Sequence, residues 1–133
     1  MVLVDTSVWS VALRKSGSSH PSARNALVTL IRHHGVAMIG PIRQEILSGI
    51  SDQRQFSKLR GELSHFPDLE ILQGDFEAAA ECFNKCRSRG VQGSNTDFLI
   101  CAVSLRHSFP ILTTDRDFEK FAAVLGIELF EIS

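Results

Sequence analysis

Acidic side chains at five separated points of the 133-residue chain, Asp5, Glu45, Asp97, Asp115 and Asp117, are the groups best suited to chemistry. Each alone has an ordinary explanation. Asp5 follows the apolar run Val2-Leu3-Val4 and can cap a helix, with Thr6 and Ser7 as further capping residues. Glu45 can turn to solvent from a helix. Asp97 completes a Ser94-x-x-Asp97 capping box, and Asp117 a Thr114-x-x-Asp117 box. Gathered at one place, the acids need a single explanation instead of five. Neighbouring carboxylates repel and raise each other's pKa unless a cation neutralises them. An all-oxygen set without Cys or His selects Mg2+ or Mn2+. Such an ion binds phosphates, polarises a phosphoryl oxygen and acidifies an attacking water, which is the chemistry of phosphodiester hydrolysis.

The elements that carry these acids decide whether they meet. Val2-Leu3-Val4 has no polar alternation and predicts a strand buried on both faces, the mark of a central parallel strand. Val36-Ala37-Met38-Ile39, Leu69-Glu70-Ile71-Leu72, Pro110-Ile111-Leu112-Thr113 and Ile127-Glu128-Leu129-Phe130 predict further short strands, the last an outer one. Helices are expected between them. One covers 7–14 and ends before the loop Ser16-Gly17-Ser18-Ser19; another opens at His20-Pro21-Ser22 and stops at His33-His34-Gly35. Pro41 starts a helix over 42–50, Ser51-Asp52 caps the next, and Gly74-Asp75 leads into one reaching Arg89-Gly90. Asn95-Thr96-Asp97 opens a helix that is apolar nearly all round, and Thr114-Asp115-Arg116-Asp117 begins the last.

This alternation predicts an α/β fold, a helix-covered parallel sheet with right-handed crossovers. Parallel strands share a direction, so the first and fourth present Asp5 and Asp115 at the same carboxyl edge, where open α/β sheets bind ligands. The helix starts bearing Asp97 and Asp117 can lie at that edge. Glu45 borders the apolar face Ile42, Ile46, Leu47 and Ile50 of its helix and can reach the edge too.

Composition narrows the classes. A chain with 44% hydrophobic and 22% charged residues is an ordinary globular domain rather than a disordered segment. A net charge of −1 excludes binding nucleic acid by bulk positive charge, though an acidic metal site beside a local basic rim remains compatible with it. Lys85, Arg87 and Arg89 close a helix whose dipole favours cations there. Cys82, Cys86 and Cys101 are odd in number and lie at apolar or helical spacing, as small buried residues of a reducing compartment do. His20, His33, His34, His65 and His107 match no zinc spacing and are expected at the surface or at helix ends. The apolar start is too short for a signal peptide or a spanning helix, so the expected location is the cytoplasm, with no membrane contact.

Val-Leu-Val-Asp5-Thr-Ser-Val-Trp, Ile-Arg-Gln-Glu45-Ile, Asn-Thr-Asp97-Phe-Leu-Ile-Cys-Ala and Ile-Leu-Thr-Thr-Asp115-Arg-Asp117-Phe together resemble the PIN-domain ribonucleases, specifically VapC-type toxins. The resemblance runs from the opening strand to the closing one, and the motifs stand in the family's order. It implies a single PIN domain over 1–133, a three-layer α/β fold with a mostly parallel central sheet flanked by helices. It further implies a metal-dependent endoribonuclease with Asp5, Glu45, Asp97 and Asp115 as an acidic tetrad. Asp5 and Asp97 would be principal Mg2+ ligands, Asp115 a further ligand directly or through water, and Glu45 the group that orients or deprotonates the nucleophilic water. Asp117 matches a position that is acidic in many relatives but less uniformly needed, which leaves helix capping as its alternative role. Ser7 and Thr114 resemble polar positions that hydrogen-bond the carboxylates or metal waters.

By the same resemblance a cognate antitoxin inhibits the chain, it forms homodimers within a larger toxin–antitoxin complex, and it cleaves structured RNA such as transfer or ribosomal RNA. Arg14, Lys15, Arg43 and Arg116 flank the acidic motifs, and three roles stand open for them: steering the RNA backbone, pairing with nearby acids, or meeting an acidic antitoxin segment. A catalytically silent RNA- or partner-binding module is the rival that shares the fold. Two aspartate-phosphorylating rivals fit less well. A phosphatase of the haloacid dehalogenase type wants a second Asp where Ser7 stands, and a receiver domain wants an acid where Leu72-Gln73-Gly74 offers none.

Overall fold

In the structure, a computed structural model that describes residues 1–13 and 20–132, the strand β1 (Val2–Val4) is the centre of a parallel sheet. It lies between β2 (Val36–Ala37) and β3 (Ile111–Leu112) in the order β2-β1-β3. The register aligns Leu3 with Ala37 on one side and with Ile111 on the other, and Val4 with Leu112. All of β1 is buried, as a run of branched apolar residues with no polar face requires.

Helices flank the sheet: α1 (Thr6–Leu13), α2 (Pro21–Arg32), α3 (Gly40–Leu47), α4 (Gln53–Leu63), α5 (Gln73–Arg87), α6 (Asn95–His107) and α7 (Asp117–Leu125). They pack in two groups, α1 on α2 and α3 with α4 beyond, and α5 on α6 and α7. Pro stands at the first position of α2 and the second of α3, where its fixed φ fits and its missing N–H costs nothing. Arg14, Lys15 and the Ser16-Gly17-Ser18-Ser19 loop fall outside the described residues.

Two expected strands shorten to single bridges. Around Leu69 only the pairing Met38–Asp68 forms, with the Leu69 N–H donating to Met38 O at 2.8 Å. The ladder goes no further because the partner strand gives way to α3 at Gly40, two residues after Met38. The closing segment pairs through Leu129 with Ile111 alone. β3 is two residues long, and Ile111 makes both bonds to that segment, donating to Glu128 O at 2.9 Å and accepting from the Phe130 N–H at 2.8 Å.

The apolar helix α6 is buried from Phe98 through Ser104, and Phe98 and Phe118 both meet Phe121, with ring centroids 5.0 and 5.1 Å apart. Gly93 fits against this cluster because a Cβ there would stand 2.6 Å from the Phe121 ring. That close approach brings the start of α6, and Asp97 with it, down onto the core. All three cysteines are free and buried, and burial pushes their thiols up. His107 sits half-buried at the end of α6, stacked on Phe109. Among the described residues no helix is long and apolar enough to cross a membrane.

An ion pair between a buried acid and an exposed arginine joins α5 to α6. Arg106 donates from Nε to Asp75 Oδ1 at 2.7 Å and from Nη2 to Asp75 Oδ2 at 2.9 Å, a two-pronged contact that the sequence reading had not anticipated. Arg43 has a similar structural role. It pairs with Asp68 at 2.9 Å and also donates to the carbonyls of Leu63 and Phe66, so it clasps the end of α4. Of the three roles open to Arg43, the structure gives it pairing with a nearby acid.

Candidate active site

β1 delivers Asp5 to its carboxyl end, where the side chain is 7% exposed. Its Oδ2 accepts from Ser7 Oγ and from Thr113 Oγ1, both at 2.8 Å. The same two hydroxyls accept from the loop after β3, Ser7 Oγ from the Thr114 N–H at 3.1 Å and Thr113 Oγ1 from the Asp115 N–H at 3.0 Å. Each hydroxyl therefore donates to one acid and accepts from the backbone that carries another. Asp5 and Asp115 are locked to each other through Ser7 and Thr113.

Thr114 is expected to hydrogen-bond the carboxylates or metal waters; the hydroxyl that meets Asp5 is that of its neighbour Thr113. Thr114 contributes through its backbone N–H instead. The register explains the choice: Val4 aligns with Leu112, so the next residues along, Asp5 and Thr113, come side by side. Adjacent threonines offer no local signal that distinguishes them. The expected Thr114–Asp117 capping box does not form. Asp115 Oδ1 accepts the Asp117 N–H at 2.9 Å in its place, and the exposed Asp117 carboxylate lies 3.8 Å from Lys120. Arg116 is exposed at the start of α7, next to Asp115.

Asp97 stands in the first turn of α6 and forms the expected box: its Oδ2 accepts the Ser94 N–H at 3.0 Å, and its own N–H donates to Ser94 Oγ at 3.1 Å. Burial holds its carboxyl above the usual aspartate range. The Ser94 bonds oppose that, and the negative charges of Asp5 and Asp115 add to it. Three acids from β1, α6 and the loop after β3 thus share one electrostatic neighbourhood. Glu45 arrives from α3 with an exposed side chain, and its Oε1 accepts from Thr6 Oγ1 at 2.8 Å, at the residue after Asp5.

Among the described residues no three His, Cys, Asp or Glu side chains are gathered into a ready ligand cage. The donor set nevertheless suits a hard divalent cation. It consists of carboxylate oxygens, it contains no thiol or imidazole, and Asp97 bears a mutual repulsion that a positive ion would relieve.

The model of the PIN domain family matches residues 2–124. A VapC ribonuclease of Mycobacterium bovis and ribonuclease VapC11 of Mycobacterium tuberculosis are each 32% identical over 130 residues, which is 96% of this chain and 96% of theirs. Among solved structures, FitAcB from Neisseria gonorrhoeae superimposes with a TM-score of 0.78 at 20% identity, over 98% of this chain and 97% of that one. VapBC2 from Rickettsia felis, bound to a DNA fragment from its promoter, gives 0.77 at 19% identity with complete coverage of both chains. Likeness in fold, in sequence and in the family model runs over the same near-complete length that brings the acids to one edge of the sheet, and the chain belongs to the PIN-domain family.

Proposed function

We propose that this chain, a single PIN domain over 1–133, is a metal-dependent endoribonuclease and the toxin of a toxin–antitoxin pair. The observation that carries the reading is the position of Asp97, whose carboxyl is raised by burial and by the charges of Asp5 and Asp115. A half-buried acid in the field of two other acids calls for a cation from outside the chain. The sequence relatives named as ribonucleases, and a similar fold in a toxin–antitoxin complex from Klebsiella pneumoniae with a TM-score of 0.70, supply the substrate class and the partner.

In this reading Asp5 and Asp97 hold Mg2+ or Mn2+, with Asp115 a third ligand directly or through water. The bound ion would polarise the scissile phosphate and acidify the attacking water. Ser7 and Thr113 keep Asp5 in one orientation, so little reorganisation is needed when charge develops. Glu45 orients the nucleophilic water or takes its proton. Asp117 adds negative charge in the first turn of α7 and takes no part in the reaction, and Arg116 meets the RNA backbone. Arg14 flanks the first acidic motif and shares that role. The substrate is a structured RNA, transfer or ribosomal. The chain works in the cytoplasm as a homodimer that a cognate antitoxin silences within a larger complex.

Purified chain freed of antitoxin is expected to cleave RNA with Mg2+ or Mn2+ and to stop when EDTA is added. Asp5→Asn is expected to abolish cleavage. Undiminished cleavage by Asp5→Asn contradicts the assignment, and an inert native protein that still binds RNA favours the silent module. Mapping the 5′ ends that appear when the chain is expressed alone in a cell identifies the RNA.

A further inference from the structure

Asp5, Thr6 and Ser7 are consecutive, yet their side chains serve three different elements. Asp5 is itself an acid of the site at the end of β1. Ser7 at the second position of α1 turns back to Asp5 and to the loop after β3. Thr6, the first residue of α1, points the other way and donates its hydroxyl to Glu45 Oε1 on α3, 39 residues along the chain.

That bond has a specific consequence for Glu45. The side chain is exposed, and a glutamate on a solvent-facing helix samples many rotamers and orients nothing. A hydroxyl fixed by the first turn of α1 removes much of that freedom, and it does so from the residue joined directly to Asp5. The Thr6 hydroxyl occupies Oε1, so the two carboxylate oxygens are not equivalent: Oε2 has no such partner from α1.

Building on the ribonuclease reading, we propose that Thr6 is the positioning residue for Glu45: its hydroxyl occupies Oε1, holds the carboxylate beside Asp5 and leaves Oε2 as the oxygen presented to the attacking water. The proton taken from that water goes to Oε2, and the Thr6 hydroxyl keeps its own proton throughout. Ser7 and Thr113 fix Asp5; Thr6 fixes Glu45. One tripeptide thereby registers the base against the metal-ligand side of the site.

Four variants of the full chain test this: Thr6→Val, Thr6→Ser, Glu45→Gln and the Thr6→Val/Glu45→Gln double variant. Valine keeps the branched shape at the start of α1 and deletes only the hydroxyl. Thr6→Val is expected to lower kcat on the order of ten- to a hundredfold, the scale of a misplaced reacting group. KM for RNA and the Mn2+ dissociation constant, measured by titration without RNA, should stay within about twofold, because Asp5, Asp97 and Asp115 are untouched. Thr6→Ser should restore most of the rate. The double variant should be no slower than Glu45→Gln alone, since the two residues act as one unit. Scalar couplings along the Glu45 side chain of the metal-free protein give a readout independent of turnover: one rotamer in the native chain and in Thr6→Ser, rotamer averaging in Thr6→Val.

The proposal is overturned if Thr6→Val cleaves at the native rate while Glu45→Gln is inactive, or if adding Thr6→Val slows Glu45→Gln as much as it slows the native chain. Full activity of Glu45→Gln would instead remove Glu45 from the ribonuclease reading.

Discussion

Asp75 and Asp97 occupy the same place in successive helices, the third residue of α5 and of α6. Each accepts the N–H of the residue just before its helix, from Leu72 at 2.9 Å and from Ser94 at 3.0 Å. Locally they are one motif. Their surroundings then set them apart. The Arg106 guanidinium on Asp75 holds that carboxyl below the usual aspartate range, with the Leu72 N–H helping and burial opposing. Asp97 has acids for neighbours, and burial together with Asp5 and Asp115 holds it above that range. A buried acid whose counter-charge lies on the same chain is finished structure. On the ribonuclease reading, one whose neighbours share its sign awaits a cation from solution.

Substitution should separate the two sharply. Asp97→Asn keeps the cap, because its side-chain oxygen can still accept the Ser94 N–H, yet RNA cleavage should fall on the order of 10³-fold, the scale of losing one preorganised electrostatic group. Asp75→Ala should leave the cleavage rate per folded molecule nearly unchanged. Active-site titration against total protein is the check, and equal losses for both variants would erase the distinction.

Stability should reverse the ranking. Asp75→Ala breaks the bond between α5 and α6 and removes the acceptor of the Leu72 N–H, which should cost about 1.5 kcal/mol and lower Tm by roughly 5 °C in calorimetry. The pH dependence has a defined sign. Because the folded-state pKa of Asp75 is depressed, its stabilisation is present above the unfolded-state value and is lost as pH falls through the lower folded one. Acid unfolding of the native chain should therefore be shifted to higher pH in Asp75→Ala.

The smallest effect belongs to Asp97 and has the opposite sign. A carboxyl with a raised folded-state pKa loses stability as pH climbs from the unfolded value through the folded one, so its ionised form is a burden at neutral pH. Asp97→Asn should raise Tm of the metal-free protein by about 2 °C. Adding Mg2+ should raise Tm of the native chain and do much less for the variant. A variant that melts well below the native chain without metal would make Asp97 a helix cap and nothing more.

The contrast also explains what could be read from the residues alone. The Ser94–Asp97 box was readable because its partners lie three residues apart, as was the buried course of α6 from its unbroken apolar run. The convergence of Asp5 and Asp115 followed from parallel strands sharing an edge. Asp75–Arg106 spans 31 residues and Arg43–Asp68 spans 25, and helix patterns carry no information about which exposed-looking cation folds back onto which acid. Thr113 was hidden for a different reason. Two adjacent hydroxyls follow β3, and only the strand register selects the one that meets Asp5. The outer strands shrank to bridges because the chain after Met38 enters α3 at Gly40 in one case, and in the other the closing segment bonds around Ile111 alone.

Carboxyl 13C titration of Asp97 and Asp75 in one metal-free sample, repeated with saturating Mg2+, measures the difference on which everything else depends. Asp97 should titrate above the ordinary aspartate value and move down strongly when the ion is added, while Asp75 should titrate below it and stay where it is. An Asp97 that titrates at or below the ordinary value, or that ignores the ion, would contradict the account.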